Sequence, residues 1–486
     1  MPETNMKRFQ LFIGGEFVDS SSGKFFETEY PYTGQAWAEV AEGSAEDVNR
    51  AVAAAQAAFT TGAWPRLTAT ERGALLHKLG SLIESNHEKL ARAEMQDNGK
   101  TITEVRNQVS SLPALYRYYA GLSDKVHGQT IEVNNDKVFT YTTYEPLGVV
   151  AAITPWNSPL RLLSLKLAPA LAAGNTVVVK PSEFTSTSTL LLMELINAAG
   201  FPPGVVNVVT GFGEAVGAPL VAHPLVRKVS FTGGVSGGIK SYVAAASGLK
   251  SAVLELGGKS ASIVFPDRGS DTARQVANGI FGSTGQTCVA GSRLLVHEDI
   301  HDEFVAEVVS HAKSKRMGDP LDETTELAPM ATRPQYERVM AYIREAMEQG
   351  AHLAYGGNQS TDGDTPGGLF IEPTIFTHVT PEMTIANEEI FGPVLSVIPF
   401  HDEEEAVRIA NSVCFGLAAG VWTADLRRAH RLARQLQAGT VWINTYRVNA
   451  PQMPVGGYKN SGVGRESGDE AIKEYLQMKS VWIDVQ

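Results

Sequence analysis

Val149-Val-Ala-Ala-Ile153 is the first of five short β-rich runs that decide the fold class, because a helix-sized segment separates each run from the next. The other four runs are Thr176–Lys180, Val205–Val209, Lys228–Phe231 and Ala252–Leu256. Strands that alternate with helices predict βαβ units and a parallel sheet. This part of the chain is therefore predicted to be an α/β domain.

A second alternating series follows the first and predicts a second α/β domain. Its β-rich runs are Ala261–Phe265, Arg293–Val296, Val394–Pro399, Ala418–Trp422 and Thr440–Ile443. The helical segments between them include His301–Lys315, Gln335–Gln349 and Asp425–Gln437. Cys288 precedes one of these strands, so the second domain carries this cysteine.

The N-terminal region has a helical pattern after a strand-rich start around Phe9–Val18. Ser44-Ala-Glu-Asp47 and Thr68-Ala-Thr-Glu71 fit the capping box, in which a hydroxyl and a carboxylate each accept from the other residue's backbone N–H. A third helix is predicted from Thr101 towards Gly121.

Two segments belong to neither predicted sheet. Val126–Glu145 is polar, β-branched and aromatic and predicts a strand pair, and Lys479–Gln486 predicts one more strand. Unpaired strand edges can pair with another subunit, so both segments predict an oligomer. The Gly- and Asp-rich segment 356–368 predicts a surface loop.

The composition is that of an ordinary soluble protein. Its 486 residues suffice for two or three domains, because single cores stop growing near ~250–300 residues. No run approaches the ~20 apolar residues of a membrane span, and a net charge of −12 argues against nucleic-acid or anionic-membrane partners. With two cysteines and no export signal in the first residues, the cytoplasm is the expected compartment. The histidines show no metal-ligand spacing, so no metal is predicted.

Cys288 ends the run Phe281-Gly-Ser-Thr-Gly-Gln-Thr-Cys288, and Glu255 lies in Leu254-Glu-Leu-Gly-Gly-Lys-Ser260. Together they predict a thiol nucleophile with a carboxylate base. A free thiol with a pKa of ~8.5 is only slightly ionised at neutral pH, so its surroundings are expected to promote ionisation. The alternative is an inert buried cysteine, and Cys414 keeps that interpretation.

Three segments at strand ends predict a nucleotide site. Phe231-Thr-Gly-Gly-Val-Ser-Gly-Gly238 lies between a strand and a helix, where glycines let the backbone approach a pyrophosphate. Gly211-Phe-Gly-Glu-Ala-Val-Gly217 also precedes a helix, but its glycine spacing is wrong for Gly-x-Gly-x-x-Gly, and a plain turn is the equal alternative. Lys180-Pro-Ser-Glu183 adds a carboxylate that can bind both ribose hydroxyls and would repel a 2′-phosphate. These features predict NAD as cofactor, with NADP as the alternative.

Seven motifs occur in one order along the chain. They are Thr154-Pro-Trp-Asn-Ser-Pro159, Lys180-Pro-Ser-Glu183, Phe231-Thr-Gly-Gly234, Leu254-Glu-Leu-Gly-Gly-Lys-Ser260, Gly285-Gln-Thr-Cys288, Glu388-Glu-Ile-Phe-Gly-Pro393 and Gly456-Gly-Tyr-Lys-Asn-Ser-Gly-Val-Gly-Arg-Glu466. Together they resemble the aldehyde dehydrogenase superfamily, and the resemblance covers essentially the whole chain. It implies a Rossmann-like NAD-binding domain over 1–122 and 146–256 and a related α/β catalytic domain over 257–460. Residues 123–145 and 461–486 would form an oligomerisation arm and C-terminal tail that build a homodimer or homotetramer.

Carried onto matching positions, the resemblance makes Cys288 the nucleophile and Glu255 the base that deprotonates water. Asn157 would donate to the oxyanion. Lys166 and Glu466 resemble the family's accessory proton-relay positions, with a buried ion pair as the equal alternative. The implied reaction oxidises an aldehyde to its carboxylic acid through a thiohemiacetal and a thioester.

The resemblance also implies the binding residues. Glu389 would hold the nicotinamide ribose, and Phe391 would pack beside the ring. The other cofactor residues are Ile153, Thr154, Pro155, Trp156, Asn157, Lys180, Ser182, Glu183, Gly213, Gly217, Phe231, Thr232, Gly233, Gly234, Gly238, Glu255, Leu256 and Gly257. The substrate residues are Ser158, Leu162, Phe281, Thr287, Val289, Arg447 and Asn449.

Two positions depart from the common family pattern. Gly234 stands where many members have a Ser, so one hydroxyl contact with the pyrophosphate is lost. Gly282 stands where many members have a bulky aromatic, which predicts a wider substrate funnel and favours a bulky aromatic or polar-substituted aldehyde over acetaldehyde. Arg447 and Asn449 could recognise a polar or anionic far end, as in a semialdehyde, with a solvent-facing Arg447 as the equal alternative.

Two other enzyme classes stay open. A cysteine-dependent acyltransferase or thioesterase would use Cys288, but it would not need Glu183, Glu389 or the glycine turn, and no His stands near Cys288 in the sequence. A CoA-dependent acylating dehydrogenase shares the fold but by resemblance typically lacks the base, so Glu255 favours hydrolysis.

Overall fold

The N-terminal part of the molecule consists of short strands followed by four helices. The computed structural model describes residues 6–360 and 368–486, so most of the predicted loop 356–368 lies outside the described residues, as do residues 1–5. The first elements are β1 (Lys7–Phe9), β2 (Leu11–Ile13), β3 (Glu16–Val18), β4 (Phe25–Tyr30), β5 (Gln35–Ala41), α1 (Ala45–Thr60), α2 (Ala69–Ser85), α3 (His87–Asn98) and α4 (Ile102–Leu122). Both predicted capping boxes are confirmed, since Ser44 pairs with Asp47 and Thr68 pairs with Glu71.

The first β-rich series forms the centre of an eight-stranded sheet. Its elements, with the strand that precedes them, are β6 (Val138–Pro146), β7 (Val149–Ile153), α5 (Pro159–Ala172), β8 (Thr176–Lys180), α6 (Thr187–Ala199), β9 (Val206–Val208), α7 (Ala218–Ala222), β10 (Val226–Thr232), α8 (Val235–Ser247) and β11 (Ser251–Glu255). The parallel strands lie in the order β11-β10-β7-β8-β9, and β2 and β3 extend the β9 edge. The predicted parallel sheet is therefore confirmed.

The second β-rich series forms a seven-stranded sheet. Its segment contains β12 (Ala261–Val264), α9 (Thr272–Phe281), β13 (Arg293–His297), α10 (His301–Lys313), α11 (Arg333–Glu348), β14 (His352–Tyr355), β15 (Thr374–Thr377), α12 (Thr384–Asn387), β16 (Val394–Phe400), α13 (Glu403–Asn411), β17 (Phe415–Gly416), β18 (Ala418–Trp422), α14 (Leu426–Gln435) and β19 (Thr440–Ile443). The order is β14-β15-β16-β13-β12-β18-β19. The five predicted strands are confirmed, and β14 and β15 at one edge were not predicted.

The C-terminal segment pairs both with the first sheet and with β6, the strand that comes before β7 in the chain. Its elements are β20 (Tyr458–Lys459), β21 (Gly462–Val463), α15 (Glu470–Lys473) and β22 (Leu476–Asp484). β21 pairs antiparallel with β11, and β22 pairs with β6 along nine residues of each strand. The prediction of a strand pair within 126–145 is confirmed only in part: Thr130 forms a bridge with Tyr141, and Thr142 N–H donates to Gln129 O at 2.8 Å, but the long partner of β6 is β22.

The order of the first sheet creates a crevice at its carboxyl edge. The chain moves from β7 through β8 to β9 in one direction and then starts again at β10 on the other side of β7. Ligands of open α/β sheets bind at such a switch point. β7 and β8 are buried along their whole length, as parallel strands covered on both faces require. Among residues 6–360 and 368–486, no helix combines the length and apolar character needed to cross a membrane.

Candidate active site

The carboxyl ends of the strands β7, β10 and β11 open into one cavity of about 250 Å³. Strand pairing sets Ile153 of β7 beside Lys180 of β8 and Phe231 of β10. It likewise sets Thr232 of β10 beside Glu255 of β11. The predicted residues that line the cavity together are Pro155, Trp156, Asn157, Leu162, Thr232, Gly233, Gly234, Glu255, Leu256, Gly257, Cys288, Glu389 and Phe391.

The glycine turn after β10 is shaped by close contacts. A Cβ at Gly233 would lie 2.8 Å from the Phe231 ring, and one at Gly238 would lie 2.4 Å from Leu256. Glycine at these two positions therefore lets the turn fold over Phe231 and lets α8 pack against Leu256. Gly234 precedes α8 without a side-chain cap, and a Cβ there would meet nothing within 4 Å. Gly233 and Gly234 line the cavity at the N-terminus of α8, a position at which helix N–H groups can bind a phosphate.

The other predicted glycine turn lies elsewhere. Gly213 and Gly217 bound a π-helical turn, and the structure does not bring them into the lining of the cavity. This placement agrees with their irregular glycine spacing. Thr154 and Ser182 are buried after β7 and β8, beside the cavity rather than in its lining.

Lys180 and Glu183 form an ion pair at the end of β8. Lys180 Nζ lies 3.0 Å from Glu183 Oε2. The Lys180 side chain is buried, whereas 28% of the Glu183 side chain is exposed. Glu183 can therefore accept hydrogen bonds from a ligand at the sheet edge while Lys180 balances part of its charge.

The loop before Cys288 is held in an unusual backbone conformation. Ser283 and Thr284 have φ of 58° and 52°, and Gly285 follows with φ of 69°. Left-handed non-glycine residues cost roughly 1–3 kcal/mol each, so surrounding contacts must stabilise them. Thr284 Oγ1 donates to Ala328 O at 2.9 Å, and a Cβ at Gly285 would lie 2.0 Å from a backbone carbonyl. The glycines and hydroxyls of this run thus serve a tight turn that presents the thiol.

Cys288 is half-buried and faces the cavity. Burial, together with the negative charges of Glu389 and Glu255, raises the pKa of the Cys288 thiol to about 12, while Arg447 opposes the shift. These surroundings oppose ionisation of the thiol, contrary to the expectation from the sequence that they promote it. The sequence could not indicate this, because the two carboxylates reach the thiol only through the fold.

The pKa of about 12 predicts a steep pH dependence for modification of Cys288. The thiolate is the reactive form, so alkylation by iodoacetamide should accelerate roughly tenfold per pH unit between about pH 7 and 9. The measurement uses the Cys414→Ala variant, in which Cys288 is the remaining thiol. A rate that levels off within this pH range would show that the thiol ionises near neutrality and would contradict the assignment.

Asn157 lies beside the cysteine loop. Its side chain is buried, and Nδ2 donates to the backbone carbonyl of Gln286 at 3.0 Å. An amide nitrogen carries two hydrogens, so this contact fixes the side chain and leaves the other hydrogen for a second acceptor. This geometry suits the predicted oxyanion donor.

Glu255 occupies the end of β11 and is buried. Burial and the nearby Glu466 carboxylate raise the pKa of Glu255 well above its usual range, while Lys166 and Arg465 oppose the shift. Its Oε1 has no hydrogen-bond partner among the described residues. Glu255 thus lines the cavity with a carboxyl group that binds its proton more tightly than usual, and its Oε1 is available to a water molecule.

Lys166 and Glu466 form the buried ion pair that was one of the two interpretations. Lys166 Nζ donates to Glu466 Oε1 at 2.5 Å and to Thr232 Oγ1 at 2.7 Å. The Lys166 side chain is fully buried and that of Glu466 is 2% exposed. Removing one partner of such a pair typically costs ~3–5 kcal/mol of stability, so the pair has a structural role whatever its part in proton transfer.

The opposite wall carries Glu389 and Phe391. Glu389 Oε1 accepts from the backbone N–H of Gly258 at 3.0 Å. Burial raises the pKa of Glu389 to about 7, while that hydrogen bond opposes the shift. Phe391, with φ of 57°, packs edge-on against Trp156 at 5.3 Å between ring centroids, and Gln335 Nε2 donates to its carbonyl at 3.1 Å.

These features fit a dinucleotide cofactor. The open helix N-terminus at Gly234 suits a pyrophosphate. Glu183 and Glu389 offer carboxylate oxygens for two riboses, and the Trp156 and Phe391 rings provide apolar surface beside Cys288. The residues present can therefore hold the predicted NAD.

The substrate side differs from the prediction at Gly282. A Cβ at Gly282 would lie 2.4 Å from Nη1 of Arg447, so the guanidinium fills the space that the missing aromatic was expected to leave. The wider funnel was therefore a wrong prediction at this position. Arg447 Nη2 also donates to Ser283 Oγ at 2.9 Å, and 26% of its side chain is exposed, which rules out the solvent-facing alternative.

Of the other predicted substrate residues, some lie at the cavity and others do not. Phe281 was expected in the funnel wall, but its side chain is fully buried in a hydrophobic core cluster with Ile280 and Trp422. The end of α9 turns it inwards, so this prediction was wrong. Leu162 lines the cavity, and Thr287 and Val289, which flank Cys288, are half-buried. Ser158 accepts from a buried lysine, Lys100, and Asn449 accepts from Arg161.

Several residues of the site were not predicted. Gln335 and Arg338 of α11 line the cavity. Lys100, Glu104 and Arg161 surround the cysteine loop from α4, its preceding turn and α5. The only sequence signal was the position of Arg161 four residues after Asn157 in the chain, at the start of α5, while the others depend on long-range packing.

Comparisons with known proteins agree with this geometry. A family model described as "Aldehyde dehydrogenase family" matches residues 17–481. The chain is 45% identical to the putative aldehyde dehydrogenase DhaS of Bacillus subtilis, covering 98% of this chain and 96% of the relative. It is 46% identical to the mitochondrial aldehyde dehydrogenase of Homo sapiens, covering 98% and 92%. A solved NAD+ complex of aldehyde dehydrogenase from Bacillus cereus superposes with a TM-score of 0.96 at 43% identity, covering 99% and 97%. Betaine aldehyde dehydrogenase from Staphylococcus aureus in complex with NAD+ gives 0.97 at 38% identity, covering 98% and 95%.

Proposed function

This chain belongs to the aldehyde dehydrogenase family, and we propose that it uses NAD+ to oxidise an aldehyde to a carboxylic acid through a covalent intermediate on Cys288. One observation carries the proposal: a single cavity is lined by Cys288, Glu255, Asn157 and the glycine turn at Gly233. Thiol, base, oxyanion donor and cofactor site are thereby within reach of one substrate carbonyl.

In the first step the Cys288 thiol loses its proton to solvent and the thiolate attacks the aldehyde carbon, so the Sγ–C bond forms as the carbonyl π bond opens. The resulting alkoxide is stabilised by the Asn157 amide and the backbone N–H of Cys288, each such donor being worth roughly 100- to 1,000-fold in rate. Collapse of the alkoxide expels a hydride and leaves a thioester on Cys288; NAD+, held by the Gly234 turn, Glu183 and Glu389, would supply the hydride acceptor.

The second step hydrolyses the thioester. Glu255 takes a proton from water, the hydroxide attacks the thioester carbon, and Sγ leaves as the carboxylic acid is released. Glu255 Oε1 and Glu466 Oε2 both lack partners among the described residues, so each can accept from a water. This supports a route by which Glu466 and Lys166 carry the proton onward from Glu255.

The two large sheets support the predicted division of the chain into an NAD-binding domain and a catalytic domain. We assign the NAD-binding domain to 1–122 and 146–256, the catalytic domain to 257–460, and the arm and tail to 123–145 and 461–486. The β6–β22 pair supports a homodimer or homotetramer, since Trp482, Met478 and Phe139 expose 64%, 61% and 45% of their surface on it. The free thiols of Cys288 and Cys414 agree with a cytoplasmic setting.

Absorbance at 340 nm tests the proposed function directly. Aldehyde and NAD+ should give continuous NADH formation without CoA, because Glu255 hydrolyses the thioester. A requirement for CoA would instead favour an acylating dehydrogenase, and hydrolysis of a thioester without any nicotinamide reduction would favour a thioesterase or acyltransferase.

Cofactor choice follows from Glu183. Its exposed carboxylate should repel the 2′-phosphate of NADP+, so NAD+ should give the higher kcat/KM. Glu183→Ser should narrow that preference by roughly tenfold, because it removes the repulsion and frees Lys180 to attract the phosphate. Glu303→Ser, a change at an exposed helix position, is the matched control. An unaltered preference in Glu183→Ser would refute this role.

A further inference from the structure

A cluster of three cations and two carboxylates lies around the cysteine loop. The cations are Lys100, Arg161 and Arg447, and the carboxylates are Glu104 and the buried Glu94, which interacts electrostatically with Lys100 and Glu104. Lys100 Nζ and Arg447 Nη2 lie 3.4 and 4.0 Å from Glu104 Oε1, which also accepts from Ser283. Two carboxylates therefore face three cations, and one additional anion would balance the remaining positive charge.

Arg161 is the cation without a carboxylate. Among the described residues its partners are neutral: Nη2 donates to Asn449 Oδ1 at 2.8 Å, and Nη1 donates to Ser111 Oγ at 3.3 Å. Burial lowers the pKa of Arg161, and the negative charge of an ionised Cys288 opposes the shift. A half-buried guanidinium with no ion pair, within electrostatic range of the nucleophile, is unusual because buried charges are normally paired.

Arg447 contacts the same loop at Gly282 and Ser283. The guanidinium covers Gly282 and donates to Ser283, while its backbone has a left-handed φ of 61°. Asn449 links the two arginines, because it accepts from Arg161 and its Nδ2 donates to the Arg447 carbonyl at 3.3 Å. Both arginines are within electrostatic range of Cys288, and Leu162, the neighbour of Arg161, lines the cavity.

Resting on the proposed aldehyde oxidation, we propose that Arg161 and Arg447 bind a carboxylate at the far end of the substrate, so that the enzyme prefers aldehyde acids over neutral aldehydes. A guanidinium presents a planar fork that suits a carboxylate. Gly282 is required for this site, because any side chain there would displace the Arg447 guanidinium. The two arginines are specificity-determining residues, and they take no part in the bond changes at Cys288.

Matched substrate pairs test this proposal. The pairs are 4-carboxybenzaldehyde with benzaldehyde, and succinic semialdehyde with butanal. The ratio of kcat/KM within a pair measures the preference for the carboxylate and should be roughly 10- to 100-fold in at least one pair. Arg161→Met and Arg447→Met should each reduce this ratio at least about tenfold, mainly through KM, because binding remote from the reacting carbon is lost.

Three comparisons keep the outcome interpretable. Arg447→Lys, which keeps the charge without the fork, should give an intermediate ratio, and Arg434→Met at an exposed helix position should leave the ratio unchanged. A ratio near one in the unaltered enzyme, or arginine variants that lose both members of a pair equally, would overturn the carboxylate site while the proposed function stands. Failure to oxidise any of the four aldehydes would instead overturn the proposed function.

Discussion

Replacing Cys288 with Ala is expected to abolish aldehyde oxidation, with steady-state turnover reduced by roughly 10⁴-fold or more, because no other group can form the covalent intermediate. Cofactor binding should survive, since Cys288 lines the cavity but makes none of the proposed phosphate or ribose contacts. Two measurements are needed: NADH formation at 340 nm, and the Kd for NAD+ from a calorimetric titration.

Cys414→Ala is the matched control for this experiment. Cys414 is exposed and lies outside the cavity, so its replacement should leave both turnover and NAD+ affinity as they were. Loss of NAD+ binding in Cys288→Ala to the same degree as loss of turnover would mean that the substitution damages the site as a whole. The nucleophile assignment would then fail.

Glu255→Gln is expected to separate the two halves of the reaction. The amide has the size of the carboxyl group but cannot deprotonate water, so steady turnover should fall by roughly 10²- to 10⁴-fold. The thiol can still attack, and a first burst of NADH, close to one per active subunit, should therefore remain. Rapid-mixing absorbance at 340 nm measures the burst and the slow phase in one trace.

The surface substitution Glu337→Gln on α11 should show neither effect and controls for the loss of one negative charge. Unchanged steady-state turnover in Glu255→Gln would show that another group activates the water. Loss of the burst together with the slow phase would place Glu255 before thioester formation, which the proposed order of steps does not allow.

The parallel strands could be predicted from the sequence because strands buried on both faces consist mostly of apolar residues. β7 and β8 are covered on both faces, so each appears as a continuous apolar run with the bounds that the structure has. β14 and β15 were missed because β14 is a partly exposed edge strand and β15 is a run of only four residues with a threonine at each end. The incomplete prediction at 126–145 has a different cause, because β6 pairs with a segment at the far end of the chain that no local pattern identifies.

The candidate site was predictable to the extent that its residues follow strand ends. Thr232 and Glu255 end adjacent strands, and the cavity they share with Asn157 follows from the sheet alone. The ionisation of the Cys288 thiol could not be predicted from the positions of strand ends. Glu389 reaches Cys288 from a distant loop, and its charge adds to burial in raising the pKa of the thiol to about 12.

The width of the substrate funnel at Gly282 also could not be predicted from the sequence. The absence of a side chain at Gly282 does leave room for a neighbour, but the sequence could not indicate that this neighbour is Arg447. That placement depends on the left-handed conformation of Arg447 and on its contact with Ser283. The Arg447 guanidinium thus occupies the space beside Gly282, and the substrate funnel is not widened there.

The central claim is that the reaction passes through a thioester on Cys288 that Glu255 hydrolyses. Mass spectrometry of the Glu255→Gln variant, quenched with acid after mixing with benzaldehyde and NAD+, tests it most directly. The account predicts a benzoyl adduct on the peptide containing Cys288, in an amount that matches the NADH burst. Formation of NADH without an adduct on Cys288, or with an adduct on Cys414, would contradict it.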